Sequence, residues 1–345
     1  MREFFKRLFR QPITWLVLAS LIYMAPMLFF PTFNYIDDGQ TLLTGKTLMA
    51  TSDLSTWRDS FIEYPAGRLR PGYQLYLLLM YVLFDTQPFG YWLMQTVVIA
   101  LTLIGIFTFI KQTSKAKDWL AAGVATLFLL LPAAIENLYR LGTAEPRQAL
   151  FMIWFLVWLS KLKLAKFNWQ SFMAGQLLLL MTLTTKETSL MVLPMIGVYF
   201  FRAWWPKRQL GKVGWLYFLS LMIQPILFFF ALPSRQGYTA NVDISLSKLW
   251  YGALVTRFNW AEYYFPMVVG LILLLLRGVK SLERGKLIAF LKTLQWPLTL
   301  LAGFVGSLFF VFSWEHQLER YHYLTFVFII LFLFVESNFY DWSKK

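Results

Sequence analysis

The chain has 345 residues, of which 58% are hydrophobic, 19% aromatic and 14% charged, with a net charge of +14. Soluble domains carry about 25% charged residues, and apolar runs long enough to cross a hydrocarbon core of about 30 Å recur along this whole sequence. The composition therefore excludes a soluble globular protein. It also removes the case for a nucleic-acid partner, because basic cytoplasmic loops account for the charge. There is no cysteine, so disulfide and thiolate chemistry are excluded, and no Asn-x-Ser/Thr sequon marks a glycosylated lumenal surface.

The N-terminal stretch carries Arg2, Lys6, Arg7 and Arg10, and an apolar run follows from Ile13 to Pro31. The run is long and no small-residue cleavage site follows it, which predicts an uncleaved anchor with a cytoplasmic N-terminus. The first long polar segment comes next, residues 34–71. Asp37 and Asp38 stand near its start, and Arg68 and Arg70 near its end. Gly72 to Phe84 is apolar but short for a span, and reads as an interfacial or re-entrant helix. Pro88 separates it from a run that does span.

With that choice the spans fall at 13–31, 89–110, 119–135, 146–162, 169–185, 188–204, 213–232, 264–280, 293–313 and 321–339, and both termini lie in the cytoplasm. The expected fold is an all-α integral membrane protein of about ten transmembrane helices, a single transmembrane domain with a long first extracytoplasmic loop (32–88) and no separate soluble domain. Most Lys and Arg fall on the inner side, as the positive-inside rule requires. Most Asp and Glu fall on the outer side, beside a few arginines.

Four further outer clusters follow in chain order: Glu136, Asn137, Arg140, Glu145 and Arg147; then Lys186-Glu187; then the loop Arg235 to Glu262; then Glu315 to His322, with His316, Glu319 and Arg320. Several have a plain structural reading. Asp37-Asp38-Gly39 suits a helix N-cap. Glu136 and Arg140 are four apart and suit an ion pair on one helix face. His316 and His322 suit an interfacial position more than a metal site. Lys186-Glu187 is different. It sits at the only break between two apolar runs, and charges at membrane depth cost about 2.5–3.5 kcal/mol each, so they are expected to be paired or functional.

These features together resemble the GT-C class of membrane glycosyltransferases, the superfamily of the protein O-mannosyltransferases and aminoarabinose transferases. The resemblance rests on an acidic pair after the first span (Asp37-Asp38), on Arg70-Pro71-Gly72-Tyr73-Gln74 at the end of the first outer loop, on Arg140-Leu141-Gly142-Thr143-Ala144-Glu145-Pro146, on Lys186-Glu187, and on Arg320-Tyr321 before the last span. Each motif is short; their order and shared sidedness carry the likeness across most of the chain. The second acid is Asp where the family has Glu, and the sequence shows no C-terminal soluble domain.

The resemblance implies an inverting transfer of a sugar from a polyprenyl-phosphate donor to a hydroxyl of a glycan, lipid or protein acceptor. It matches Asp37 to the general base and leaves Asp38 as a supporting group or a metal ligand. A phosphate leaves as an anion and needs cations rather than a general acid, so Arg68, Arg70, Arg140, Lys186 and Arg320 are candidate phosphate-binding groups, with Glu145, Glu187 and His322 beside them. Mg²⁺ or Mn²⁺ is a candidate ion, held by the Asp pair with Glu145. The expected partners are the lipid-linked sugar, its acceptor and membrane lipids, and the expected location is a bacterial cytoplasmic membrane. A flippase, a polymerase or ligase of lipid-linked glycans, and a non-catalytic assembly subunit are the competing readings.

Overall fold

The computed structural model describes residues 11–34, 38–62, 68–114, 116–205, 209–231, 245–247, 249, 251, 260–283, 285, 286, 290, 291, 293–312 and 323–338. All regular secondary structure among them is helical. In chain order the helices are α1 (Pro12–Phe29), α2 (Asp38–Ala50), α3 (Leu54–Phe61), α4 (Pro71–Phe84), α5 (Pro88–Thr113), α6 (Asp118–Leu127), α7 (Pro132–Leu138), α8 (Glu145–Lys161), α9 (Trp169–Thr185), α10 (Val192–Trp204), α11 (Gly211–Ala231), α12 (Trp260–Glu283), α13 (Gln295–Phe312) and α14 (Tyr323–Asn338).

Proline sets many of the starts. It stands in the first turn of α1, α4, α5, α7 and α8, where a missing N–H costs nothing and the fixed φ suits the helix. Side-chain caps start two others. Asp53 accepts from the Ser55 amide at 2.9 Å ahead of α3, and Asn168 accepts from the Ser171 amide at 2.8 Å ahead of α9.

Among the described residues, four helices are long and apolar enough to cross a membrane: α1, α5, α11 and residues 265–283 of α12. The fold is that of a helical membrane protein. The other expected spans appear as shorter or interrupted helices, so ten crossings are not established by helix length. Two interruptions have clear causes. The expected span 119–135 breaks into α6, a 3₁₀ turn at Phe128–Leu130, and α7. Pro132 cannot donate to Phe128 and disfavours helical backbone at Leu131, so the first helix stops before it. The expected span 188–204 starts as a 3₁₀ turn at Glu187–Met191 before α10, with Pro194 unable to bond back to Leu190.

Packing fixes the relative directions. The Trp92 indole at the start of α5 donates to the Thr32 carbonyl beyond the end of α1 at 2.8 Å, so these two helices are antiparallel. α5 and α8 run parallel: Gly105 lies against Ile153 and Trp154, and Ser160 hydrogen-bonds Gln112. α8 and α9 are antiparallel, with Trp158 donating to the Ser171 carbonyl at 2.7 Å near one end and Lys186 pairing with Glu145 at the other. One end of the bundle therefore collects residues 32–34, 38, 85–92, 132–148 and 185–189. The other end collects 111–114, 116–118 and 158–171, where Lys111 pairs with Asp118 at 2.7 Å. α8 forms the centre, with 11 residues buried of its 17. Large apolar side chains face outward elsewhere, among them Ile22, Leu177, Leu227 and Leu275, as expected where the surrounding solvent is hydrocarbon.

Candidate functional site

Of the charged groups expected to carry chemistry, Asp38, Arg70, Glu145, Lys186 and Glu187 converge on the first of these two ends. Asp38 opens α2 and is fully buried. Its Oδ1 accepts from the Leu141 and Gly142 amides at 3.0 and 3.2 Å, and its Oδ2 accepts from the Asn34 amide at 2.8 Å. The Asn34 side chain in turn donates to the Tyr139 carbonyl at 2.7 Å. Asp38 thus clasps the segment after α1 to the 139–142 loop. Both oxygens are engaged by backbone amides, an arrangement that suits an anchor.

Arg70 and Glu187 form a two-pronged ion pair. Nε and Nη2 of the guanidinium donate to the two carboxylate oxygens at 2.6 and 2.7 Å, and both side chains are about nine-tenths buried. This fork-to-fork geometry is the strongest form of the contact. Burial alone raises the Glu187 pKa; the Arg70 charge and hydrogen bonds, with Lys186 and Arg68 adding to them, reverse that and bring it down to about 2. Lys186 pairs with Glu145, and both are buried. Lys186 is extended (φ −157°, ψ 138°) and ends α9, which sends its side chain and that of Glu187 to different partners. Glu145 sits in the first turn of α8, where the helix dipole favours a carboxylate.

Two residues outside the expected set complete the cluster. Arg147 is 3% exposed. It donates to the Thr143 carbonyl at 2.9 Å and the Tyr76 hydroxyl at 2.8 Å, and its guanidinium lies 4.5 Å from the centre of the Tyr76 ring. Gln148 donates to the hydroxyls of Thr188 and Ser189 at 2.9 and 2.7 Å. Arg147 was legible as one of a row of outer charges. Tyr76 and Gln148 carried no signal, because each sits within an apolar helix pattern. Approach of the backbones is set by Gly72 at the start of α4: a Cβ there would lie 2.5 Å from the Thr184 Oγ1 of α9.

The remaining expected residues divide. Arg68 is half-buried and acts electrostatically on Glu187. Arg140 lies at the edge, its Nη2 3.7 Å from Glu136, with both side chains about one-third exposed; the expected i,i+4 pair is present. Asp37, Arg320 and His322 lie outside the described residues, as do His316, Glu319 and most of the loop 235–262. Among the described residues no three of His, Cys, Asp and Glu come together to hold a metal ion. Asp38 and Glu145, two of the expected ligands, are turned to backbone amides and to Lys186, a poor fit to Mg²⁺ or Mn²⁺.

Comparison with family models, with curated proteins and with solved structures gives no match to this chain.

Proposed function

We propose that the chain is a membrane glycosyltransferase that moves a sugar from a polyprenyl-phosphate donor to an acceptor hydroxyl. The observation that carries this reading is the buried cluster of Arg70, Glu187, Lys186, Glu145 and Arg147 at one end of an apolar bundle, beside Asp38. Membrane proteins seldom bury so many ionised groups without a use for them. Asp37 removes the acceptor proton. The acceptor oxygen attacks the anomeric carbon from the face opposite the phosphate, the carbon–oxygen bond to the phosphate breaks, and the configuration inverts. The departing polyprenyl phosphate takes up negative charge and needs fixed cations. Arg68 and Arg140, the more accessible guanidiniums, are assigned to it together with Arg320; Arg70 and Lys186 hold the frame through their carboxylate partners.

The same reading places the cluster on the extracytoplasmic face of a bacterial cytoplasmic membrane, with ten crossings and both termini inside. Its test is donor turnover by the whole chain in lipid nanodiscs, with a panel of labelled polyprenyl-phosphate sugars. Wild type is expected to consume one donor and give an inverted product. Asp37→Asn is expected to lower turnover about 10²–10⁴-fold while still binding donor. Asp38→Asn is expected to lower stability and turnover together, because it loosens the 139–142 loop. Turnover by Asp37→Asn at the wild-type rate refutes the assignment of the base.

One observation favours a second reading. Arg70 and Lys186 each already have an internal carboxylate, which suits a non-catalytic assembly subunit with a purely structural cluster. That reading predicts no donor consumption by any form of the chain.

A further inference from the structure

Side chains hold the loop between α7 and α8 along its whole length. A helix leaves its last carbonyls without partners, and the next helix leaves its first amides so. Where burial excludes water, protein groups must take them. The Thr143 hydroxyl is shared between the Asn137 and Arg140 carbonyls, at 3.0 and 3.2 Å. Gln95 of α5, fully buried, donates to the Leu138 carbonyl at 3.1 Å. Asn34 donates to the Tyr139 carbonyl, Asp38 accepts from the Leu141 and Gly142 amides, and Arg147 donates to the Thr143 carbonyl. Each of the seven residues 137–143 thus has a backbone group bonded to a side chain.

These bonds come from separate elements: the segment after α1, the start of α2, α5 and the first turn of α8. Ordering so many side chains costs conformational entropy, which a turn served by water avoids. The arrangement suits a loop that must present something at a fixed place. Asn137, Leu138, Leu141 and Thr143 are buried, and the Tyr139 hydroxyl donates to the Tyr23 carbonyl at 2.5 Å. Arg140 is the one charged residue in this stretch of sequence, and its side chain is about one-third exposed. The carboxylate of Asp38 meets the amide end of the neighbouring peptides and the guanidinium of Arg147 the carbonyl end. Two opposite charges therefore grip the backbone beside Arg140.

We propose that Gln95, Asn34 and Arg147 are positioning residues, which lock the 137–143 backbone so that the Arg140 guanidinium stands where the departing phosphate develops its charge. The proposal rests on the glycosyl-transfer reading above, in which Arg140 meets that phosphate. A cation already in place stabilises developing charge with no reorganisation at the moment of reaction. A displacement of about 1 Å in such a group costs on the order of 10²-fold in rate. Gln95, Asn34 and Arg147 act through the loop and have no need to touch the donor.

The test is a double-mutant cycle on the full chain in phosphatidylcholine nanodiscs. It is read as affinity for a labelled polyprenyl phosphate and as kcat and KM for the donor sugar. Gln95→Met keeps the length of the side chain and removes its donor. Asn34→Ala releases the Tyr139 carbonyl from a half-buried position, and serves if Gln95→Met does not fold. With Arg140 present, each is expected to lower kcat and phosphate affinity about tenfold; after Arg140→Ala has removed the positioned group, each should change them by less than about twofold. Hydrogen exchange at the Leu141 and Gly142 amides is expected to quicken in both. A loop of purely structural value gives another pattern: lower thermal stability and quicker exchange, with equal effects on affinity whether or not Arg140 is present. That pattern, or unchanged exchange in both variants, overturns the proposal. If wild type consumes donor and the effects are additive, glycosyl transfer stands and the positioning fails. If phosphate binding shows the coupling and no donor is consumed, the positioning of Arg140 toward an anion stands and the transfer reading fails. Absence of phosphate binding in wild type overturns both.

Discussion

At the scale of single residues, the Arg70–Glu187 pair shows how charge is held in this bundle. Two ions have been taken out of water, which is expensive, and the fork geometry with its two short hydrogen bonds offsets the expense. The asymmetry of such pairs gives a test. Removing one partner leaves the other buried and uncompensated, so Glu187→Gln is expected to cost about 3–5 kcal/mol, read as a large fall in thermal unfolding temperature in detergent. Arg70→Lys is expected to recover little, since an ammonium cannot match the fork. The pH dependence follows from the depressed pKa of Glu187, about 2 in the folded chain against 4.5 for a free glutamate. A carboxylate with a lowered folded pKa contributes stability that is fully present above 4.5 and is lost as pH falls through about 2. Wild type is therefore expected to hold this contribution between pH 7 and 5. The part of the acid-induced loss between about pH 4.5 and 2 that belongs to this group should be missing in Glu187→Gln.

At the scale of elements, α4 and α9 meet because Gly72 has no side chain. Its missing Cβ would overlap the Thr184 hydroxyl at 2.5 Å, and this contact sits two residues from Arg70 and three from Glu187. Gly72→Val is expected to separate the two helices, break the Arg70–Glu187 geometry and reduce donor binding. The companion Gly72→Ala/Thr184→Ala should recover part of the loss in thermal stability. No recovery would show that spacing at this point does not govern the pair. Helix positions were largely legible in sequence. Long apolar runs located α9 at 169–185, and located α5 and α8 to within a few residues. The break at Pro132 was also written there, in a residue that the apolar run around it concealed. Pairing was not legible. Lys186-Glu187 reads as one charged unit, yet its members reach Glu145 and Arg70, the latter 117 residues away. Contacts of that range depend on how whole helices pack, and neither periodicity nor spacing encodes it. Asp38 likewise read as half of a catalytic pair, because nothing local shows that two distant amides, those of Leu141 and Gly142, turn to it.

At the scale of the whole molecule, the two ends of the bundle differ in kind. One holds the Arg70–Glu187 and Lys186–Glu145 pairs and the loop clasped by Asp38. The other holds Lys111, Asp118 and the short basic segment with Lys161, Lys163 and Lys166. The proposed orientation, which follows the positive-inside rule, has the second end in the cytoplasm. Because the chain has no cysteine, each introduced thiol is the only one present, which makes sidedness measurable. Ser55→Cys on α3 is expected to react with a membrane-impermeant maleimide in intact cells. Lys163→Cys is expected to react only after permeabilisation. The reverse pattern would invert the molecule and place the charged cluster at the cytoplasmic surface, away from any extracytoplasmic acceptor.

The pairing of Arg70 with Glu187 and of Glu145 with Lys186 also has a consequence for how the chain enters the bilayer. Synthesis runs from the N-terminus, so Arg70 and Glu145 emerge first and stand at the membrane with neither countercharge yet made. Both partners then arrive together, on adjacent residues, as α9 finishes and the chain turns back. Arrested nascent chains ending before residue 186 should therefore keep α4 and the start of α8 open to water, and those extending past the turn should close them in a single step of assembly.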